Sequence, residues 1–144
     1  LREYYLSIDP IFRTGEHTAI DLEIGYRYLN ARLSTGEASN LQTTAVSDDA
    51  TMLIPHFTVS FTPLDSVLVP YIKAGIGIMS SDSYHADFPW IYSVGAGSVY
   101  LAGDRLLFRG ELNFKGYHSI SGSNTKREIT WTAFTLFLGV GFRV

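Results

Sequence analysis

Apolar and polar residues alternate along most of this chain, most regularly at its end. From Ile129 to Val144, Phe134, Leu136, Leu138, Val140, Phe142 and Val144 fall on one face of an extended strand. Ala133, Thr135, Phe137, Gly139, Gly141 and Arg143 fall on the other. The same period-two pattern predicts seven strands: Arg2–Arg13, Ala19–Leu33, Met52–Thr62, Val67–Ser80, Ile91–Ala102, Arg105–Tyr117 and Ile129–Val144. No stretch carries a helical period and no Pro-rich or Ser-rich linker divides the chain. Residues 1–144 therefore read as a single all-β domain.

The connections between these strands alternate in length. Thr14–Thr18 and Pro63–Ser66 are short, and Gly103–Asp104 reads as a two-residue hairpin turn. Ser34–Thr51 and His118–Glu128 are long and polar, and Ser81–Trp90 is intermediate. Short turns at one end and long loops at the other are the pattern of an outer-membrane barrel. Within Ser34–Thr51, Leu41–Val46 is the one candidate for a hidden strand. Pro10, Pro55 and Pro70 are expected near strand ends, where a missing ladder hydrogen bond costs least.

The two faces differ in chemistry. One carries Ile20, Leu22, Ile24, Tyr26 and Tyr28; Leu53, Phe57, Val59 and Phe61; Ile72, Ala74, Ile76 and Ile78; Tyr92, Val94, Ala96 and Tyr100; and Leu106, Phe108, Leu112 and Phe114. The other carries Asp21, Glu23, Gly25 and Arg27; His56, Thr58 and Ser60; Lys73, Gly75 and Gly77; Ser93, Gly95 and Gly97; and Arg105, Arg109, Glu111, Asn113 and Lys115. Charge is confined to the second group, which is also rich in glycine. A narrow barrel needs small residues inside, because its bore is only wide enough for side chains to fill. Aromatics form two candidate girdles: Tyr28, Trp90, Tyr92 and Trp131 toward the long loops, and Phe12, Phe61, Tyr100 and Phe142 toward the short turns. The predicted fold is an antiparallel up-and-down transmembrane β-barrel of eight strands, seven of them in this chain. The alternative is a soluble β-sandwich or lipocalin-like barrel whose apolar face is its core.

Composition narrows the functions. No run of about eighteen apolar residues exists, which excludes a transmembrane helix. The chain has no cysteine, hence neither a disulfide framework nor a thiolate site. A formal net charge of −3 gives no footprint for nucleic acid. No cofactor motif is present. Asp48-Asp49 and Asp82/His85/Asp87 lack a specific metal-ligand spacing and read as solvated loop residues. No basic segment followed by an apolar core opens the chain at residue 1.

Seven is an odd count, whereas bacterial single-chain barrels have even strand numbers. The expectation is one strand ahead of Leu1, or a closing strand donated by a partner chain. Either way the bore is predicted to be filled by Asp9, Asp21, Glu23, Arg27, Lys73, Arg109, Glu111, Lys115 and Arg143. Mixed signs on neighbouring strands imply pairing, since a lone buried charge is very costly. The other reading of these residues is an ion path.

Two segments resemble known families. Pro70-Tyr71-Ile72-Lys73-Ala74-Gly75-Ile76-Gly77 is similar to a strand common in small outer-membrane barrels, and Leu138-Gly139-Val140-Gly141-Phe142-Arg143-Val144 resembles the closing strand of OmpA-type barrels. This resemblance implies a filled lumen and a role in envelope integrity or adhesion. Tyr117-His118-Ser119-Ile120-Ser121-Gly122-Ser123-Asn124, followed by Glu128, resembles the site of PagL-type lipid A 3-O-deacylases. The resemblance implies His118 as base, Ser121 or Ser119 as nucleophile and Glu128 as orienting acid. The family's His-x-Ser-Asn is not reproduced, because position 120 is Ile.

The preferred reading is a non-enzymatic outer-membrane protein of a Gram-negative-type bacterium, an envelope anchor or assembly component. Its expected partners are the lipid bilayer, lipopolysaccharide and other envelope proteins. A lipid A deacylase-like hydrolase and a narrow channel are the alternatives.

Overall fold

The computed structural model describes residues 2–35, 42–81, 90–121 and 127–143. It is all-β and antiparallel, with no helix among the described residues. The strands are β1 (Arg2–Ile8), β2 (Ile11–Arg13), β3 (Thr18–Thr35), β4 (Gln42–Ser60), β5 (Leu68–Ser81), β6 (Trp90–Ala102), β7 (Leu106–Ser121) and β8 (Arg127–Phe142). They form one curled half-barrel sheet in the order β1-β3-β4-β5-β6-β7-β8, with β2 also on β3.

β1 and β2 occupy one column of the sheet. Ile8 opposes Ile24 and Ile11 opposes Asp21, so the register on β3 is the same on both sides of the break. The break falls at Asp9-Pro10, where proline has no N–H to give the ladder. Its carbonyl still accepts from the Leu22 N–H at 3.0 Å. The eight strands thus fill seven columns, the seven that the alternation predicts.

The predicted long loops are corrected. β3 and β4 pair from Thr18↔Val59 out to Thr35↔Gln42, so most of Ser34–Thr51 is strand. Gln42–Val46 belongs to β4 and forms no additional strand. Likewise β7 and β8 pair out to Ser121↔Arg127, placing His118 and Ser121 within a strand. The physical reason is that a hairpin ladder propagates through polar residues once its register is fixed. Thr and Val also suit an extended backbone. The turn after β6 is corrected too. Ala102 opposes Leu106, leaving three residues in the loop, and Gly103 takes φ +81° to reverse the chain. Arg105 is exposed in that turn and does not join the inner face.

Pro55 lies well inside β4, not near its end. The ladder to β3 runs through it, while the ladder to β5 skips Ile54 and Pro55. Here β4 presses against β5. A Cβ on Gly75 would stand 2.3 Å from the Pro55 carbonyl oxygen, and one on Gly77 2.0 Å from that of Leu53. Only glycine permits this approach.

The polarity of the sheet is inverted relative to a water-soluble core. Among the described residues nine hydrophobic side chains are buried, whereas twenty-five large ones are exposed. Along β4 exposed Thr51, Leu53, Pro55 and Phe57 alternate with buried Met52, Ile54, His56 and Thr58. The buried, concave side has two layers. Ala50, Met52, Ile54, Met79, Ile91 and Tyr117 form an apolar cluster. The second layer is charged.

Candidate functional site

Strand parity places the charged layer. Asp21 and Glu23 alternate with Leu22 on β3, Tyr71 and Lys73 flank Ile72 on β5, and Arg109, Glu111, Asn113 and Lys115 are every second residue of β7. All face the concave side and are buried. The curl of the sheet then brings β3 and β5 against β7.

Arg109 is the hub. Its Nη2 donates to Asp21 at 2.8 Å and to Glu111 at 2.6 Å, and its Nη1 donates to Asp9 at 3.3 Å. Its Nε donates to the Tyr71 hydroxyl at 2.6 Å, and that hydroxyl donates to Glu111 at 2.5 Å. The guanidinium also lies 5.3 Å from the Tyr71 ring centroid and 5.8 Å from that of Phe137. A planar fork with five donors lets this one side chain hydrogen-bond three carboxylates and the Tyr71 hydroxyl at once.

Two lysines complete the set. Lys73 stands 2.9 Å from Glu111, 3.6 Å from Asp21 and 3.7 Å from Glu23. Lys115 pairs with Glu23, donates to the Tyr5 hydroxyl at 2.9 Å and lies 4.1 Å from the Tyr5 ring centroid. The Tyr5 hydroxyl in turn donates to Glu23. Asn113 donates to Glu111 at 3.0 Å and accepts from Ser93 at 2.7 Å. Mutual pairing is what permits so many charges to be buried together.

The space left among these groups is about 10 Å³, bounded by Tyr5, Asp9, Lys73, Glu111 and Phe137 among others. That is about the volume of one water probe, so the side chains fill the concave interior at this level. Several buried polar atoms lack a hydrogen bond among the described residues. Asp9 Oδ1 and Asp21 Oδ1 accept no hydrogen bond among the described residues. Neither ring nitrogen of His56 has one, and its Nε2 is 3.7 Å from Glu23.

Of the residues predicted to fill the bore, Asp9, Asp21, Glu23, Lys73, Arg109, Glu111 and Lys115 meet in this network. Arg27 is buried on the same face. Arg143 is exposed just past β8 and stands apart, its N–H donating to the Arg105 carbonyl at 2.7 Å. Tyr5 and Tyr71 were missed from sequence. Their parity with Asp9 and Lys73 was the available signal, masked because tyrosine is also a girdle residue.

The deacylase-like residues are described only in part. His118 opposes Thr130 and its ring lies 5.3 Å from that of Trp90. Trp90 heads an aromatic row that continues through Tyr92, Phe114 and Phe134. In the ladder Ser121 opposes Arg127 and Glu128 opposes Ile120. The side chains of Ser119, Ser121 and Glu128, and that of Trp131, lie outside the described residues, as do Asp82, His85 and Asp87. Among the described residues no group of three His, Cys, Asp or Glu side chains is arranged to hold a metal. No protein-family model matches the chain, and no curated protein or solved structure matches it either.

Proposed function

We propose that this chain is a non-enzymatic outer-membrane β-barrel protein, an envelope anchor or a component of an outer-membrane assembly, with a lumen plugged by paired charges. The observation that carries the reading is the inverted polarity. The convex face exposes Ile24, Leu53, Phe57, Ile72, Val94, Leu112 and Leu136, while Asp21, Glu23, Lys73, Arg109, Glu111 and Lys115 are buried. In water such a surface would aggregate; in hydrocarbon it is the low-energy arrangement. Between the two edge strands the backbone is hydrogen-bonded from strand to strand, and only the outer edges of β1 and β8 still need a partner among the described residues before the sheet meets what hydrocarbon demands. The partners are then the bilayer and its lipopolysaccharide. The filled interior favours a plug over a conducting path.

Refolding the protein into lipopolysaccharide-containing phospholipid vesicles tests this. Brominated acyl chains should quench the fluorescence of outward Trp90, and the protein should float with the vesicles through a density gradient. A detergent-free, monomeric protein that stays at the bottom of the gradient would overturn the reading. Planar-bilayer recordings of the inserted protein should show no discrete conductance. Steady ion conduction by the unmodified chain would replace the plug with the channel.

A further inference from the structure

The two edges of the sheet face one another across a slot. A cleft of about 400 Å³ is lined by Tyr5, Leu6 and Ser7 of β1 and by Thr135–Val140 of β8. The curl that closes the distance is fixed from inside. Arg109 on β7 reaches Asp9, and Lys115 on β7 reaches Tyr5. Yet β1 and β8 are not paired to each other among the described residues.

Strand direction decides what fits there. Six successive antiparallel pairings lead from β1 to β8, an even number, so the two edges run in the same direction. Direct closure of β1 on β8 would have to be parallel. Joining the edges of two copies about a shared barrel axis would also give parallel seams. One interposed strand is antiparallel to both edges and continues the pattern of the whole sheet. The inner row supports the same conclusion. Asp21, Ser93, Asn113 and Tyr117, on strands flanked on both sides, are buried, whereas Tyr5, Ser7, Thr135 and Phe137 beside the slot are only half-buried.

We propose that the slot between β1 and β8 takes up one further β-strand, an extended peptide segment antiparallel to both edges with one apolar face and one face of small, uncharged polar residues. Its outer row lies level with Leu6, Leu136 and Leu138, which are 72%, 67% and 77% exposed, so it is apolar. Its inner row meets the rings of Tyr5 and Phe137, which flank the slot on its inner side, so it is small. The Phe137 ring lies over Gly139, where an added Cβ would stand 2.7 Å from it, so the inner row meets an aromatic ring on the β8 side. A hydroxyl or amide in that row can donate to Asp9 Oδ1, which accepts no hydrogen bond among the described residues. Along β8 the cleft covers six residues, about 20 Å of extended chain. The apolar outer row rests on the proposed membrane reading; the strand direction and the slot do not.

The test uses a synthetic peptide of about nine residues with Leu and Val alternating with Thr and Ser, and a scrambled peptide of the same composition. Because the chain has no cysteine, Ser7→Cys, Thr135→Cys and Val140→Cys each give a single crosslinking site. In detergent micelles the alternating peptide should bind the unmodified protein one to one, roughly tenfold more strongly than the scrambled one. A peptide with a C-terminal cysteine should crosslink to the Thr135→Cys protein, and one with an N-terminal cysteine to the Val140→Cys protein. Ser7→Cys should also capture peptide. The reverse end preference, equal binding of both peptides, or a peptide-free disulfide in a Ser7→Cys/Thr135→Cys double variant would overturn the proposal. So would a peptide-resistant dimer in sedimentation. A protein that captures peptide in micelles but fails to float with vesicles refutes the membrane reading alone. One that floats and captures nothing refutes the slot alone.

Discussion

Arg109 and Asp21 are 88 residues apart in sequence and 2.8 Å apart across the concave face. That contact joins the third strand to the seventh and exists only because the sheet curls. The same guanidinium holds Asp9 and Glu111, so one side chain ties together three carboxylates from three parts of the chain.

Replacing Arg109 by Met keeps volume and removes the charge. Asp9, Asp21 and Glu111 then face one another with only Lys73 near. The expected loss is about 3–5 kcal/mol, the range for breaking a buried pair by removing one partner. Denaturant unfolding of the refolded protein measures it. A loss under about 1 kcal/mol would mean that the carboxylates are relieved in some other way.

Tyr71 gives a finer test of the same network. Its hydroxyl accepts from Arg109 and donates to Glu111. Tyr71→Phe should cost about 1–3 kcal/mol, because two buried partners each lose a bond. In the Arg109→Met background the same change should cost measurably less, since the donor is already gone. Equal losses in both backgrounds would show that the two groups act independently.

Gly77→Ala should be among the most damaging single-methyl changes in the chain. The added Cβ would lie 2.0 Å from the Leu53 carbonyl oxygen, a backbone atom that cannot turn away. A destabilisation of about 1–3 kcal/mol is expected from such overpacking. Gly103→Ala meets no atom within 4 Å, yet its φ of +81° makes it strained, so a cost near 1 kcal/mol is expected there. Thermal unfolding that ranks Gly103→Ala as the worse of the two would contradict the close approach of β4 to β5.

Leu112→Arg separates a membrane protein from a soluble one. Leu112 is 64% exposed near the middle of β7. In a bilayer the arginine should cost about 2–4 kcal/mol at mid-depth. At a water-exposed site the change would stay within about 0.5 kcal/mol. Unfolding of the variant from vesicles reads the difference directly.

The strand count, the antiparallel sheet and the sides on which charge and apolar surface fall were legible in the sequence. A strand repeats every two residues, and that period survives any tertiary arrangement. Arg109, Glu111 and Lys115 were bound to share a face, whichever way that face pointed. Strand ends were not legible. In Ser34–Thr51 and His118–Glu128 the ladder continues where the apolar alternation stops, because backbone hydrogen bonds do not read side chains. Arg143 had the right parity for the interior but lies past the last paired residue, Phe142, where parity no longer constrains it. Only the tertiary structure decided that Tyr5 and Tyr71 join the charged layer, and that Pro55 sits inside a strand pressed against glycines. Only the tertiary structure decided, too, that β1 and β8 stand apart around a slot. Period two fixes which way a side chain points within its own strand. The curl of the whole sheet determines which strand it meets on the other side.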